Sequence, residues 1–151
     1  MENQRIAIID YGMGNVGSIK KMLSKLGYEA ILSRDTEELK ECNKYILPGV
    51  GSFENGVRQL KHCGVYDFLK KIPENSNKHL LGICLGMQLL ATDSDEFGMH
   101  AGLDIIPGHV RRLPAGDETR IPNVGWRQMM PTDTAGDMPI DRMMYFVHSM
   151  G

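Results

Sequence analysis

The chain has 151 residues, 42% of them apolar and 24% charged, with 17 Lys plus Arg against 19 Asp plus Glu and a net charge of −2. That balance fits a single globular domain over residues 1–151 and excludes a nucleic-acid surface built on global positive charge. No apolar run reaches bilayer length, the start MENQRIAIIDYG lacks a basic segment followed by an apolar core, and three cysteines without a C-x-x-C pair fit neither a disulfide framework nor a zinc knuckle. A cytoplasmic protein that contacts neither membrane nor nucleic acid and carries no metal or cofactor is expected.

Residues 5–10 form a short apolar run that predicts a buried strand, and the glycine-rich Tyr11-Gly-Met-Gly-Asn15 after it predicts a tight turn. Asn15 is placed to cap a helix on which Val16, Ile19, Met22, Leu23 and Leu26 recur at helical spacing, with Gly27 at the left-handed cap position. A strand over 29–33, a polar helix over 36–42 and a third apolar run over 44–48 follow, the last ending in Gly49-Val50-Gly51. Val57, Leu60, Val65, Phe68, Leu69 and Ile72 mark a helical stretch broken by Gly64, and a fourth strand is expected over 79–83 before a helix over 86–91. This alternation implies parallel strands with right-handed crossovers, hence a layered α/β domain with a mostly parallel central sheet and flanking helices. After Asp93 the texture changes: strands over 105–113, 124–130 and 143–147 lie between Pro- and Gly-bearing loops, which predicts mixed or antiparallel sheet in the C-terminal third.

In open α/β sheets ligands bind outside the carboxyl ends of the strands, here at the turns after Asp10, after Leu47 and around Cys84. Gly12-Met-Gly14-Asn-Val-Gly17 fits a dinucleotide fingerprint, with Asp35 about 20 residues further on. The Asp10 carboxylate at the mouth of that turn would repel a pyrophosphate, and nothing downstream resembles a second nucleotide half. The glycines are therefore read as the needs of a tight turn.

Gly82-Ile83-Cys84-Leu85-Gly86 lies between an apolar strand and a helix, the cysteine version of the nucleophile elbow. Glycines two positions either side give a perched side chain room, and a helix N-terminus favours its thiolate. The Leu85 amide would point to where a tetrahedral oxyanion forms. Cys42 and Cys63 lack such an elbow. Thiolate attack on an amide also needs a base, for which His62, His79, His100, His109 and His148 are the candidates. None is followed by the carboxylate pairing of a finished triad, although His148 ends the last predicted strand and merits a test.

Asp10-Tyr-Gly-Met-Gly-Asn15, Leu47-Pro-Gly-Val-Gly51 and Gly82-Ile-Cys-Leu-Gly-Met-Gln-Leu-Leu90 resemble, in this order and spacing, the glutamine amidotransferase subunits of imidazole glycerol phosphate synthases, which are class I (triad) glutaminases of flavodoxin-like fold. Gly102-Leu103, Ile106-Pro-Gly-His-Val110, Val124-Gly-Trp126 and Tyr145-Phe-Val-His-Ser149 extend the resemblance over essentially the whole chain. It implies that Cys84 forms a glutamyl thioester from glutamine and that Gly49, Val50 and Gly51 supply a second oxyanion amide after a peptide rearrangement. It further implies that Gln88 and the backbone at Leu85, Ser149 and Met150 hold the amino-acid end of glutamine. Ammonia would pass to a (β/α)8-barrel cyclase subunit in a heterodimer serving histidine biosynthesis, with Asp10, Tyr11, Gly12 and Asn15 at the subunit interface.

Three departures from the family pattern qualify these expectations. The sequence does not contain the His-Pro-Glu segment that completes the family's triad, so poor turnover by this chain alone is expected. Asn123 and Arg127 stand where His and Asn are usual in the histidine pathway, and Met150 where an aromatic residue is common. A paralogue supplying ammonia for a surface sugar, or a catalytically incomplete partner-binding module, are the alternatives.

Overall fold

The computed structural model describes residues 5–116, 120–129 and 142–151. They fall into two compact units divided after Arg111. In the first, β1 (Ile6–Ile9) is buried along its whole length, as a central parallel strand covered on both faces should be. Asn15 caps α1 (Val16–Lys25) by accepting from the Ser18 amide. Gly27, at φ +82°, ends the helix in the left-handed region. Leu23 of α1 is buried with Ile6, Ile8 and Ile46, and Val16 and Ile19 pack against that cluster.

The chain continues through β2 (Ala30–Ser33), α2 (Thr36–Lys40), β3 (Lys44–Leu47), α3 (Phe53–His62) and α4 (Tyr66–Lys70). Gly64, at φ +74°, makes the break between α3 and α4 that the sequence predicted. A single 3-10 turn over Ile72–Glu74 leads to β4 (His79–Gly82) and the short α5 (Leu85–Gln88). The strands form one four-stranded sheet in the order β2-β1-β3-β4, parallel throughout. Helices carry the chain from each strand to the next, as the crossover rule requires.

The helix expected over 86–91 is shorter than periodicity suggested, because α5 ends at Gln88 and the chain enters β5 (Ala91–Ser94) within three residues. Tertiary pairing decides this. The Leu89 carbonyl accepts from the Leu103 amide and the Leu90 carbonyl from those of Ile105 and Ile106, so groups that would have continued the helix are committed across the chain. β5 pairs antiparallel with β6 (His100–Ala101) and parallel with β7 (Ile106–Val110), giving the expected mixed sheet. In the second unit, β8 (Asn123–Gln128) and β9 (Met143–His148) form an antiparallel pair. Among the described residues, no helix is long and apolar enough to cross a membrane.

Candidate active site

The parallel register sets the ends of β1, β3 and β4 side by side, and their three following turns pack on one another. Cys84 is the N-cap of α5, with φ 56° and ψ −121°, the first corner of a type II′ turn. A residue with a side chain occupies that corner at a cost of about 1–3 kcal/mol, the strain expected of a nucleophile held off the sheet. The thiol is exposed.

Both flanking glycines are dictated by packing. A Cβ on Gly82 would collide with Met87 Cα, and one on Gly86 would overlap the Leu47 carbonyl oxygen. That oxygen is itself pinned, accepting from the Ile83 amide at 2.9 Å. The nucleophile turn is thereby seated on the end of β3.

The neighbouring turn after β3 begins with Pro48 and Gly49, both buried, and continues through the exposed Val50 to Gly51 at φ +106°. Gly49 has no room for a side chain, since its Cβ would stand 2.7 Å from the Gly86 amide nitrogen and 2.8 Å from Leu85 Cβ. Leu85 and Gly49 thus meet across the two turns, while Gln88 ends α5 one helical turn beyond Cys84.

The first turn also leans on this strand. A Cβ on Gly14 would lie 2.8 Å from Pro48 Cβ, so its glycine serves close packing. Asp35 caps α2 by accepting from the Glu37 amide at 2.9 Å, and Asp10 pairs with Arg34 at 3.2 Å. The groups that mimicked a dinucleotide fingerprint therefore have local structural partners. Gly12 and Asn15 are exposed, as a partner surface requires, but Tyr11 is not: it is completely buried, with its hydroxyl donating to the Pro48 carbonyl at 2.6 Å. Its ring fills the space beneath the turn, and the expectation that Tyr11 itself faces a partner is corrected.

Residues 13–119 match the SNO glutamine amidotransferase family. The chain is 44% identical over 154 residues to the imidazole glycerol phosphate synthase subunit HisH of Geobacter sulfurreducens, covering 96% of this chain and 73% of that protein. It belongs to the glutamine amidotransferase family. Its identity to subunit HisH 2 of Methanococcus maripaludis is also 44%, over 147 residues, covering 95% of this chain and 72% of that one. A solved glutamine amidotransferase superposes with a TM-score of 0.71 at 20% identity, over 93% of this chain and 70% of that one, a likeness of fold.

The other cysteines of this amidotransferase lack the exposure and backbone of Cys84. Cys42 is buried, which pushes its thiol up, and Cys63 is the half-buried cap of α3. Among the described histidines, His79 starts β4, at the end opposite Cys84, and His62 closes α3. His100 Nε2 lies 4.0 Å from Glu54 in a cavity of about 300 Å3 that also includes Arg58 and Lys61. His109 Nδ1 sits 2.9 Å from both Asp93 oxygens, and Arg111 reaches the same carboxylate at 2.9 Å. Hydrogen bonding from His109, then from Arg111, holds the Asp93 carboxyl below the usual carboxylate range. Sequence reading missed this cluster, which joins Asp93 on β5 to His109 on β7 and to Arg111 just past its end, although the alternation of His109 and Arg111 was a signal for it.

In the second unit His148 donates from Nδ1 to the Met150 carbonyl and accepts at Nε2 from the Asn123 amide, each at 3.0 Å, which fixes its tautomer. Asn123 therefore has His148 as its partner. Arg127 is exposed and donates to the Trp126 carbonyl at 3.0 Å, so its charge stays solvated. The Ser149 carbonyl accepts from the Leu113 amide, and Met150 bridges to Arg112. Among the described residues no group of three or more His, Cys, Asp or Glu gathers as for a metal ion.

Proposed function

We propose that this protein is the glutaminase subunit of an imidazole glycerol phosphate synthase, with Cys84 as nucleophile. The observation that carries the reading is the exposed thiol on a strained strand-to-helix corner whose flanking glycines cannot be replaced without a clash. The HisH relatives supply the reaction class.

The Cys84 thiolate adds to the side-chain amide carbon of glutamine, forming a carbon–sulfur bond and placing the displaced π electrons on oxygen. Amides at Leu85 and in the Gly49–Gly51 turn receive that oxyanion, where preorganised donors act in the transition state. Collapse breaks the carbon–nitrogen bond, and the protonated nitrogen leaves as ammonia. Water then cleaves the thioester to glutamate and regenerates the thiol. Gln88 and the Leu85 backbone hold the amino-acid end of the substrate, and Asp10, Gly12 and Asn15 belong to the surface that meets a (β/α)8-barrel cyclase, to which the ammonia passes.

Within the first unit His109 is engaged by Asp93 and His79 lies at the far end of the nucleophile strand, so neither is positioned as the base for Cys84. Acylation by these residues should therefore outpace turnover. Intact-mass spectrometry with saturating glutamine tests the reading: a glutamyl adduct is expected on the full chain and none on Cys84→Ala. Adduct on Cys42 or Cys63 instead would sink it.

Asn123 and Arg127 favour a second reading of the acceptor, a sugar rather than a histidine precursor. Both readings share the thioester. They separate on which purified acceptor enzyme, the barrel cyclase or a sugar-modifying partner, raises glutamine hydrolysis.

A further inference from the structure

A tyrosine that only filled the core beneath the first turn could be a phenylalanine, so the Tyr11 hydroxyl needs its own account. It donates to the Pro48 carbonyl at 2.6 Å from a fully buried position. Because a peptide is planar, fixing that carbonyl fixes the direction of the Gly49 N–H on the other side of the same peptide. The other face of Gly49 is closed as well: its Cβ would stand 2.6 Å from the Tyr11 oxygen and 2.7 Å from the Gly86 amide nitrogen. The Pro48–Gly49 peptide is thus gripped between Tyr11 and the turn that carries Cys84. Beyond it the chain loosens, with Val50 56% exposed and Gly51 in the left-handed region at φ +106°.

We propose that Tyr11 is a positioning residue for thioester formation: its hydroxyl, bound to the Pro48 carbonyl, orients the Pro48–Gly49 peptide so that the turn after β3 presents its amide to the oxyanion formed at Cys84. The inference rests on the glutaminase reading and adds to it a residue that acts through the Pro48–Gly49 peptide. Burial, and then the nearby charge of Cys84, push the Tyr11 hydroxyl well above the usual tyrosine range, so it stays a protonated donor. Tyr11 transfers no proton in this scheme. Its effect is confined to the step in which negative charge develops on oxygen.

The test compares the full chain with Tyr11→Phe in two reactions at Cys84. The first is the burst of p-nitrophenolate from the γ-p-nitrophenyl ester of glutamate, which passes through a tetrahedral oxyanion and whose leaving group needs no proton. The second is alkylation by iodoacetamide, read on the Cys84 peptide, which forms no oxyanion. Loss of the hydroxyl is expected to slow the ester burst at saturation by about tenfold or more, with the half-saturating ester concentration and the alkylation rate each changing less than about twofold. An unchanged burst overturns the proposal. Equal slowing of both reactions also overturns it, since the hydroxyl would then merely be holding the turn together. Absence of any Cys84-dependent burst in the unmodified chain, with alkylation intact, would overturn the glutaminase reading and this inference with it, and that outcome is visible without the variant.

Discussion

Cys84 occupies a backbone corner at φ 56° and ψ −121° that glycine adopts without strain. Removing its side chain should therefore stabilise the fold while removing the chemistry. Replacing Cys84 by Gly is expected to raise the unfolding free energy by about 1 kcal/mol relative to Cys84→Ala, the relief of strain being partly offset by the extra freedom of an unfolded glycine. Urea denaturation of the two variants measures this, and coincident midpoints would mean the corner is relaxed. The position was legible because Gly82 and Gly86 are sequence-local signatures of the elbow, spaced by the geometry of the turn itself. Tyr11 was not legible in the same way. A tyrosine among turn glycines reads equally as an interface residue or a buried ring, and only the proximity of Pro48, 37 residues away, distinguishes the two.

At the scale of elements, the site depends on how closely α5 seats on the end of β3. Gly86 is the contact point, and the Leu47 oxygen it faces cannot retreat without losing the Ile83 amide. Gly86→Ala is accordingly expected to cost about 3 kcal/mol, as overpacking against backbone does. Gly12 offers the comparison: it has open space around it but φ +81°, so Gly12→Ala should cost about 1 kcal/mol from backbone strain alone. Thermal unfolding should rank Gly86→Ala clearly below Gly12→Ala, and the reverse order would mean that the two turns are not packed as described. The first four strands and the helices between them followed from the sequence, because short apolar runs bounded by turn residues alternate with stretches of helical spacing. The end of α5 did not. Gln88, Leu89 and Leu90 continue a helical pattern, and it is the partners of the Leu89 and Leu90 carbonyls on residues 103–106 that turn the chain into β5.

At the scale of the whole molecule, Asp93 on the mixed sheet is a source of acid sensitivity among the described residues. Asp93 is held below the usual carboxylate range by His109 and then Arg111, so the unfolded chain takes up a proton at this group before the folded one does. Its contribution to stability is complete above about pH 4, the ordinary carboxylate value, and is lost as pH falls through the lower folded value. Asp93→Asn should flatten the decline of the urea midpoint below about pH 4. An equally steep decline in the variant would place the sensitivity elsewhere.

The order of the first four strands and the helices between them, the parallel character of their sheet and the identity of the perched cysteine were determined by the sequence alone, since apolar spacing and flanking glycines act within a few residues. The tertiary structure decided which turns meet. It buried Tyr11 against Pro48, stopped α5 in favour of β5, and joined Asp93 to His109 and Arg111. Each of these is a hydrogen bond or contact between distant segments, and local spacing carries no record of which strand ends an assembled sheet brings together.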